Sequence, residues 1–200
     1  MQDERTPVAA DDRASAETGR RILVISGPSG SGKSTICRAL ARDADVWLSV
    51  SATSRPPRPG EIDGRDYLFL TREAFEAGTA AGRFVEQAEV FGHLYGTPRA
   101  PLEAALAAGR WALLDIDVQG AMQVRRAYPD AVLIFIEPPS GEVLEARLRG
   151  RKTDAPDVIG RRLAEAEREL AQRGRYDHVV VNDRLDDAVA RIRDILEGAP

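Results

Sequence analysis

The stretch RRILVISGPSGSGKST, at residues 20–35, decides the fold of this 200-residue chain. Its continuous apolar run, ILVI, is typical of a β-strand that is buried on both faces. The segment GPSGSGKS follows directly and matches the pattern G-x-x-x-x-G-K-[ST], and residues 33–43 then have the pattern of a helix. A glycine-rich turn between a buried strand and a helix is the context in which this pattern binds phosphates.

The chemistry of this loop follows from its residue types. Backbone N–H groups in a glycine-rich turn and at a helix N-terminus attract phosphate oxygens. We expect Lys33 to reach the β- and γ-phosphates of a nucleoside triphosphate, and the Ser34 hydroxyl to bind Mg²⁺. The predicted ATP-binding residues of the loop are Gly27, Pro28, Ser29, Gly30, Ser31, Gly32, Lys33, Ser34 and Thr35. GTPases, ATPases and small kinases all share such a loop.

Outside the loop, predicted strands alternate with predicted helices. Further buried strands are predicted at residues 46–50, 112–117, 131–138 and 178–183. This alternation predicts an α/β fold of the P-loop NTPase type, with a parallel sheet flanked by helices. The rhythm breaks at residues 51–97, which indicates an inserted α+β subdomain with strands at 66–70 and 84–91. The prolines and glycines of residues 51–64 argue against a central strand there.

These patterns predict the organisation of the whole chain. Residues 1–19 contain few groups that a core could bury, so we expect a tail followed by one domain at 20–198. Two amphipathic helical segments are predicted near residues 140–170. The expected parts are a core of residues 20–50, 98–139 and 171–198, an insert of residues 51–97, and a helical part of residues 140–170.

Composition excludes several classes of protein. The chain has 28 Lys and Arg residues against 32 Asp and Glu residues, a net charge of −4, which argues against sequence-independent nucleic-acid binding. Its single cysteine, Cys37, excludes an internal disulfide framework and a cysteine-based zinc site. No apolar run has the roughly 18 residues of a membrane span, and no secretory signal is evident. We therefore expect a soluble cytoplasmic protein without membrane partners, either a monomer or a homo-oligomer.

A second anion site is predicted within SATSRPPRPGEIDGRDYLF, at residues 51–69. Arg55 and Arg58 lie in a segment whose three prolines restrict the chain before any ligand binds. Two preorganised guanidinium groups suit a dianionic phosphate, and Tyr67 adds a hydroxyl donor. The chain therefore has candidate residues for two phosphorylated ligands.

Several motifs together carry a family resemblance. In chain order they are GPSGSGKST, SVSATSRPPRPGE, DYLF, FVEQAEVFGHLYGT, LLDIDVQG, PPS, RLRGR and VVVND. This series resembles the guanylate kinases over residues 21–197, which is essentially all of the predicted domain. The resemblance implies transfer of the γ-phosphoryl group of ATP, with Mg²⁺, to GMP in purine nucleotide metabolism. We expect dGMP to be a further substrate.

The resemblance also implies roles for individual residues. Those implied for GMP are Ser51, Arg55, Arg58, Glu61, Tyr67, Glu86, Tyr95, Thr97 and Asp117. Ser51, Glu86 and Thr97 match residues that meet guanine, and Glu61 matches one that orients an arginine. Guanine presents adjacent N1–H and N2–H donors, so a carboxylate such as Glu86 accepts from both. Adenine lacks that donor pair, and AMP would leave a buried charge unpaired.

On the ATP side, Asp115 matches an acid beside Ser34 at the metal, and Asn182 matches a residue that borders adenine. Arg147 and Arg151 lie four residues apart on a predicted helix, where like charges repel unless an anion lies between them. With Arg162, they resemble lid arginines that neutralise the transferring phosphoryl group, so the resemblance implies that residues 140–170 form a helical lid. The implied catalytic residues are Lys33, Arg58, Arg147, Arg151 and Arg162.

Two alternatives stay open at this point. A non-catalytic guanylate-kinase-like binding module typically has a degraded phosphate loop, whereas this loop is intact. A related kinase acting on ribose 1,5-bisphosphate should lack the guanine-reading set of Ser51, Glu86 and Thr97, which is present here. The sequence therefore favours the GMP kinase over both.

Overall fold

The structure, a computed structural model, describes residues 21–90, 92–150 and 156–198. The predicted tail at residues 1–19 and the predicted lid residue Arg151 lie outside the described residues. No helix in these described ranges is long and apolar enough to cross a membrane.

Strands and helices of the described residues follow each other in chain order. The strands are β1 (Ile22–Ser26), β2 (Val46–Leu48), β3 (Ala52–Thr53), β4 (Leu68–Phe69), β5 (Phe84–Val90), β6 (His93–Pro98), β7 (Trp111–Asp115), β8 (Val132–Glu137) and β9 (His178–Val181). The α-helices are α1 (Lys33–Leu40), α2 (Arg72–Ala80), α3 (Arg99–Ala107), α4 (Val118–Ala127), α5 (Gly141–Arg149), α6 (Pro156–Leu170) and α7 (Leu185–Glu197). A 3₁₀-helix at Arg173–Arg175 precedes β9.

The central sheet has five parallel strands in the order β2-β7-β1-β8-β9. Strand β1 lies in the middle, and its apolar side chains alternate between two cores. Ile22 and Val24 face helices α3 and α4, while Leu23 and Ile25 face α1 and α7. Because both faces are covered, the strand is apolar throughout, as the ILVI run predicts. The predicted α/β fold with a parallel sheet flanked by helices is confirmed.

A second sheet lies between β2 and β7 in the sequence. Its order is β4-β3-β6-β5, and it combines one parallel pair with two antiparallel pairs. Helix α2 begins after Thr71, whose side chain accepts a hydrogen bond from the N–H of Ala74. Phe75 of this helix is buried and stacks on Phe84, with ring centroids 4.4 Å apart. This small sheet therefore has a far smaller apolar core than the central one.

The second sheet corrects the sequence reasoning in two places. Strand β3 has neighbours on both sides, so the expectation of no central strand in residues 51–64 was wrong. The strand fits because it ends before Pro56, the first proline of the segment. Strand β6 was not predicted, because Gly96 and Pro98 look like turn residues. A Cβ on Gly96 would lie 2.9 Å from the carbonyl oxygen of Glu86, so close strand packing requires the glycine.

Helices α5 and α6 pack on each other outside the central sheet. Their contact is apolar, through Leu144 and Leu148 of α5 and Ile159 and Ala166 of α6. The two leucines also approach the phosphate loop, within 3.0 and 3.2 Å of where a Cβ on Gly30 would lie. That the insert and the lid are separate moving parts stays a prediction.

Candidate active site

The phosphate loop joins the carboxyl end of β1 to the N-terminus of α1. Gly27 and Gly32 have φ angles of 141° and 93°, which side chains rarely adopt. A Cβ on Gly27 would also lie 2.1 Å from the carbonyl oxygen of Ile136. The Lys33 ammonium donates to the carbonyl oxygens of Gly27 and Pro28, the latter at 3.1 Å, so the loop curls around it. The other predicted residues of this segment are Ser29, Gly30, Ser31, Ser34 and Thr35.

Two side chains with oxygen atoms that could bind a metal ion lie together at the start of α1. The Ser34 hydroxyl donates to Oδ2 of Asp115, at 2.8 Å, from the end of neighbouring strand β7. Mg²⁺ prefers oxygen ligands, and nucleotide-binding sites usually hold it through one or two side chains plus phosphates and waters. No group of three or more His, Cys, Asp or Glu with metal-binding geometry occurs in the described part of the chain. The donor set therefore suits a nucleotide-bound Mg²⁺ rather than an all-protein metal cage.

Asn182 and Arg147 both form hydrogen bonds with the phosphate loop. The buried Asn182 amide donates to the carbonyl oxygen of Ser31 at 2.7 Å. Nη2 of Arg147, on helix α5, donates to the carbonyl oxygen of Asn182 at 3.0 Å. The structure thus gives Asn182 a contact with the loop, and its predicted contact with adenine stays a prediction. Arg162 lies partly buried on α6.

The predicted phosphate-binding residues of the insert form one cluster. Arg55 is only 8% exposed, and its Nη2 lies 2.8 Å from Oε1 of Glu61. The other oxygen of Glu61 accepts from the backbone N–H of Arg58 at 2.6 Å. The hydrogen bond from Arg55 lowers the pKa of Glu61, so the pair stays ionised. The Arg55 guanidinium lies 5.4 Å from the centre of the Tyr67 ring, which contacts Tyr95 edge to face.

The cluster keeps a net positive charge. Its single carboxylate, Glu61, holds the Arg55 side chain and the Arg58 backbone but offsets only one of the two arginine charges, and Arg58 is exposed. The remaining positive charge and the tyrosine hydroxyls suit a phosphate dianion. Ser51 lies partly buried at the start of the same sheet, where its carbonyl oxygen accepts from the N–H of Leu68 at 2.9 Å.

A buried carboxylate lies on the neighbouring strand. Glu86 of β5 is 4% exposed, and its Oε1 accepts from the Thr97 hydroxyl of β6 at 2.7 Å. Burial raises the pKa of Glu86 to about 7, with a further contribution from the charge of Asp117. Asp117 begins α4 and accepts from the N–H of Gly120 at 2.8 Å. In its ionised form this buried carboxylate can accept two N–H donors from a ligand, and those hydrogen bonds would lower its pKa.

The phosphate loop and the insert approach each other at the end of strand β7. Asp117 raises the pKa of Glu86, while Lys33 of the loop opposes the rise that burial causes in the pKa of Asp117. Burial and the charge of Asp115 raise the pKa of Tyr67. The acids at this strand end therefore act electrostatically on both the phosphate loop and the insert.

Sequence reasoning missed Glu169. This residue lies on α6, and burial raises its pKa to about 7, opposed by the Lys33 ammonium and by a hydrogen bond from the Ser29 backbone. It lies within LAEAEREL, where glutamates and an arginine crowd one helix, so no local pattern distinguishes it. Its contact with the loop depends on how α6 packs.

The family model and the curated relatives name the same family. The family model described as guanylate kinase matches residues 19–199. The guanylate kinase of Gloeobacter violaceus is 54% identical over 177 residues, which cover 88% of this chain and 86% of that protein. The guanylate kinase of Corynebacterium jeikeium is 50% identical over 179 residues, covering 88% of this chain and 95% of the relative.

A solved structure agrees with the sequence comparisons. The crystal structure of guanylate kinase from Anaplasma phagocytophilum matches with a TM-score of 0.73 and 38% identity, and the match covers 88% of this chain and 84% of that one. This chain belongs to the guanylate kinase family.

Proposed function

We propose that this protein transfers the γ-phosphoryl group of ATP to the phosphate of GMP, or of dGMP, giving ADP and the nucleoside diphosphate. The observation that carries the proposal is the buried pair of Glu86 and Thr97, 2.7 Å apart, beside the arginine cluster of the same sheet. A buried carboxylate that can accept two N–H donors, beside a cluster of cations that suits a dianion, matches both ends of GMP. We assign the reaction to the cytoplasm and to GMP recycling.

The insert binds and orients the nucleophile in this proposal. Ionised Glu86 accepts from N1–H and N2–H of guanine, and the hydroxyls of Ser51 and Thr97 serve the rest of the base edge. Arg55, Arg58, Tyr67 and Tyr95 hold the GMP phosphate. An oxygen of this phosphate attacks the γ-phosphorus of ATP, and the bond to the β,γ-bridging oxygen breaks with its electrons leaving on ADP. The attacking dianion needs no general base.

The phosphate loop and the lid neutralise the charge that moves. Backbone N–H groups of the loop and Lys33 bind the β- and γ-phosphates, while Arg147, Arg151 and Arg162 act on the transferring group. Ser34 and Asp115 would hold Mg²⁺ against the ATP phosphates, and the ion would offset their negative charge. Water is excluded when the insert and lid close, which suppresses ATP hydrolysis.

The experiment is a coupled assay of ADP release with ATP, Mg²⁺ and one acceptor at a time. The acceptors are GMP, dGMP, AMP, CMP, UMP and ribose 1,5-bisphosphate. Turnover with GMP and dGMP, and weak turnover with the others, supports the proposal. Turnover with the sugar phosphate alone contradicts it, and no turnover from folded protein that binds ATP indicates a binding module.

A further inference from the structure

Helix α4 approaches the Glu86 carboxylate more closely than a side chain would allow. A Cβ on Gly120 would lie 2.4 Å from Oε2 and 3.0 Å from Cδ of Glu86. On its other side, the carboxylate accepts from the Thr97 hydroxyl at 2.7 Å. The carboxylate is therefore confined between a hydroxyl of β6 and the bare backbone of α4, and any side chain at 120 would displace it.

Backbone conformation does not explain this glycine. Gly120 lies in an α-helix and is not among the glycines with positive φ, so alanine fits the backbone there. Glycine inside a helix costs about 1 kcal/mol relative to alanine. The close approach to Glu86 is what requires a residue without a side chain. A glycine inside a predicted helix is also a signal that sequence reasoning could have used.

Three residues further along α4, Gln123 holds the backbone of the same strand. Its amide Nε2 donates to the carbonyl oxygen of Gln87 at 2.6 Å, and its Oε1 accepts from the N–H of Gln87 at 3.2 Å. Strand β5 is an edge strand, and its pairing with β6 is irregular between Phe84 and Gln87. Gln123 therefore makes the two backbone bonds that a further strand would make, at the residue next to Glu86.

We propose that Gly120 and Gln123 are positioning residues that set the preference for guanine by fixing where the Glu86 carboxylate lies. Gly120 leaves the space that the carboxylate occupies, and Gln123 fixes the strand that carries it. The inference rests on the proposed function, in which Glu86 accepts the guanine donors. It extends specificity from the residues that would touch the base to a helix of the core.

The first test is Gly120→Ala, with Gly160→Ala on α6 as the matched control. Both changes favour a helix, but a Cβ at 160 has no atom within 4 Å. We expect KM for GMP to rise by roughly 10- to 100-fold in Gly120→Ala, with KM for ATP unchanged and a melting temperature within a few degrees of that of Gly160→Ala. We expect wild-type KM values for both substrates in Gly160→Ala. A KM for GMP within twofold of that control would overturn the role of Gly120.

Two further variants separate positioning from folding. Gln123→Met keeps the length of the side chain and removes both bonds to Gln87, so KM for GMP should rise by about tenfold while KM for ATP stays constant. Adding Glu86→Asp to Gly120→Ala shortens the displaced side chain. The double variant should therefore lose less than the product of the two single losses. Additive losses, or equal changes in both KM values, would contradict positioning through Glu86.

The wild-type protein distinguishes this inference from the proposed function. Turnover of GMP by the wild type, with unaltered KM in both α4 variants, would remove the inference and leave the kinase in place. A wild type that does not turn over GMP would overturn both.

Discussion

The two halves of the proposed site, one for the triphosphate and one for GMP, would bind their ligands by different means. The triphosphate half would use backbone N–H groups of the contiguous segment 27–35, which follows β1, a strand whose side chains are fully buried. The proposed GMP half would use side chains from strands β5 and β6 and from segments that flank β3, β4 and β7, on a sheet in which two strands have only two residues each. The first half is fixed by apolar packing on two faces, and the second half is fixed by polar contacts such as those of Glu61 and Gln123.

This difference predicts separable functions. A change in the loop should affect ATP and leave GMP binding intact, and a change in the small sheet should do the reverse.

The largest effect is expected for Lys33→Ala. Because the ammonium is expected to bind the β- and γ-phosphates, kcat should fall by about 10³-fold or more. The contacts of Lys33 in the structure are carbonyl oxygens of its own loop, so the fold and the GMP site should be unaffected. Steady-state kinetics measures the first effect, and GMP calorimetry measures the second. A comparable loss of GMP affinity would show that the two halves are not separable.

Glu86→Gln is the converse change and should reduce kcat/KM for GMP by about 10²- to 10³-fold, because an amide cannot accept from both guanine donors. KM for ATP should stay within twofold. Glu89→Gln is the matched control, since Glu89 lies exposed on the same strand. Equal losses in both variants would assign the effect to the strand as a whole.

The difference between the halves also explains what the sequence could predict. The loop, the apolar strand β1 and the first turn of α1 are contiguous, so their pattern predicted the fold, which is confirmed, and the triphosphate site, which stays a prediction. The GMP half depends on contacts distant in sequence, such as Gln123 with Gln87, 36 residues apart. Residue types and prolines predicted Arg55, Arg58 and Tyr67 as an anion site, and the family resemblance implied the other GMP residues. Gly120 is marked locally only as a glycine inside a predicted helix, and its contact with Glu86 follows from helix packing. The burial of Glu169 beside the loop also follows from helix packing, and no local pattern indicates it.

Phe75→Ala tests the small core of the second sheet. Removing a buried phenylalanine costs about 3 kcal/mol or more. The stacking partner of Phe75 is Phe84 of β5, so the loss should appear locally. Amide exchange in β5 and β6 should then accelerate by about a hundredfold, since 1.4 kcal/mol corresponds to tenfold. Leu113→Ala, in the central sheet, is the comparison. Equally accelerated exchange of β1 in Phe75→Ala would show that the two sheets unfold together.

The smallest effect is a pH dependence that differs between the halves. Since the pKa of Glu86 is about 7, its ionised fraction falls about tenfold between pH 8 and pH 6, and KM for GMP should rise by a similar factor. Glu169, whose pKa is also raised to about 7, is close to Lys33, so its titration should act on ATP.

The Glu86→Gln variant separates protein from ligand in this measurement, because the GMP phosphate itself titrates near pH 6. In the variant, KM for GMP should keep the pH dependence that comes from the GMP phosphate and lose the part that comes from the Glu86 carboxyl.

The stability of the protein gives an independent check on the direction of the pKa shift of Glu86. The folded pKa of Glu86 lies above its ordinary value of 4.5, so its contribution is complete below pH 4.5 and is lost as pH rises to about 7. The free energy of unfolding should therefore fall across that window in the wild type and fall less in Glu86→Gln. The free energy of unfolding, from chemical denaturation at several pH values, could instead change equally with pH in the wild type and in Glu86→Gln. Glu86 would then be ionised across the whole window from pH 4.5 to about 7, and its binding of GMP would not depend on pH.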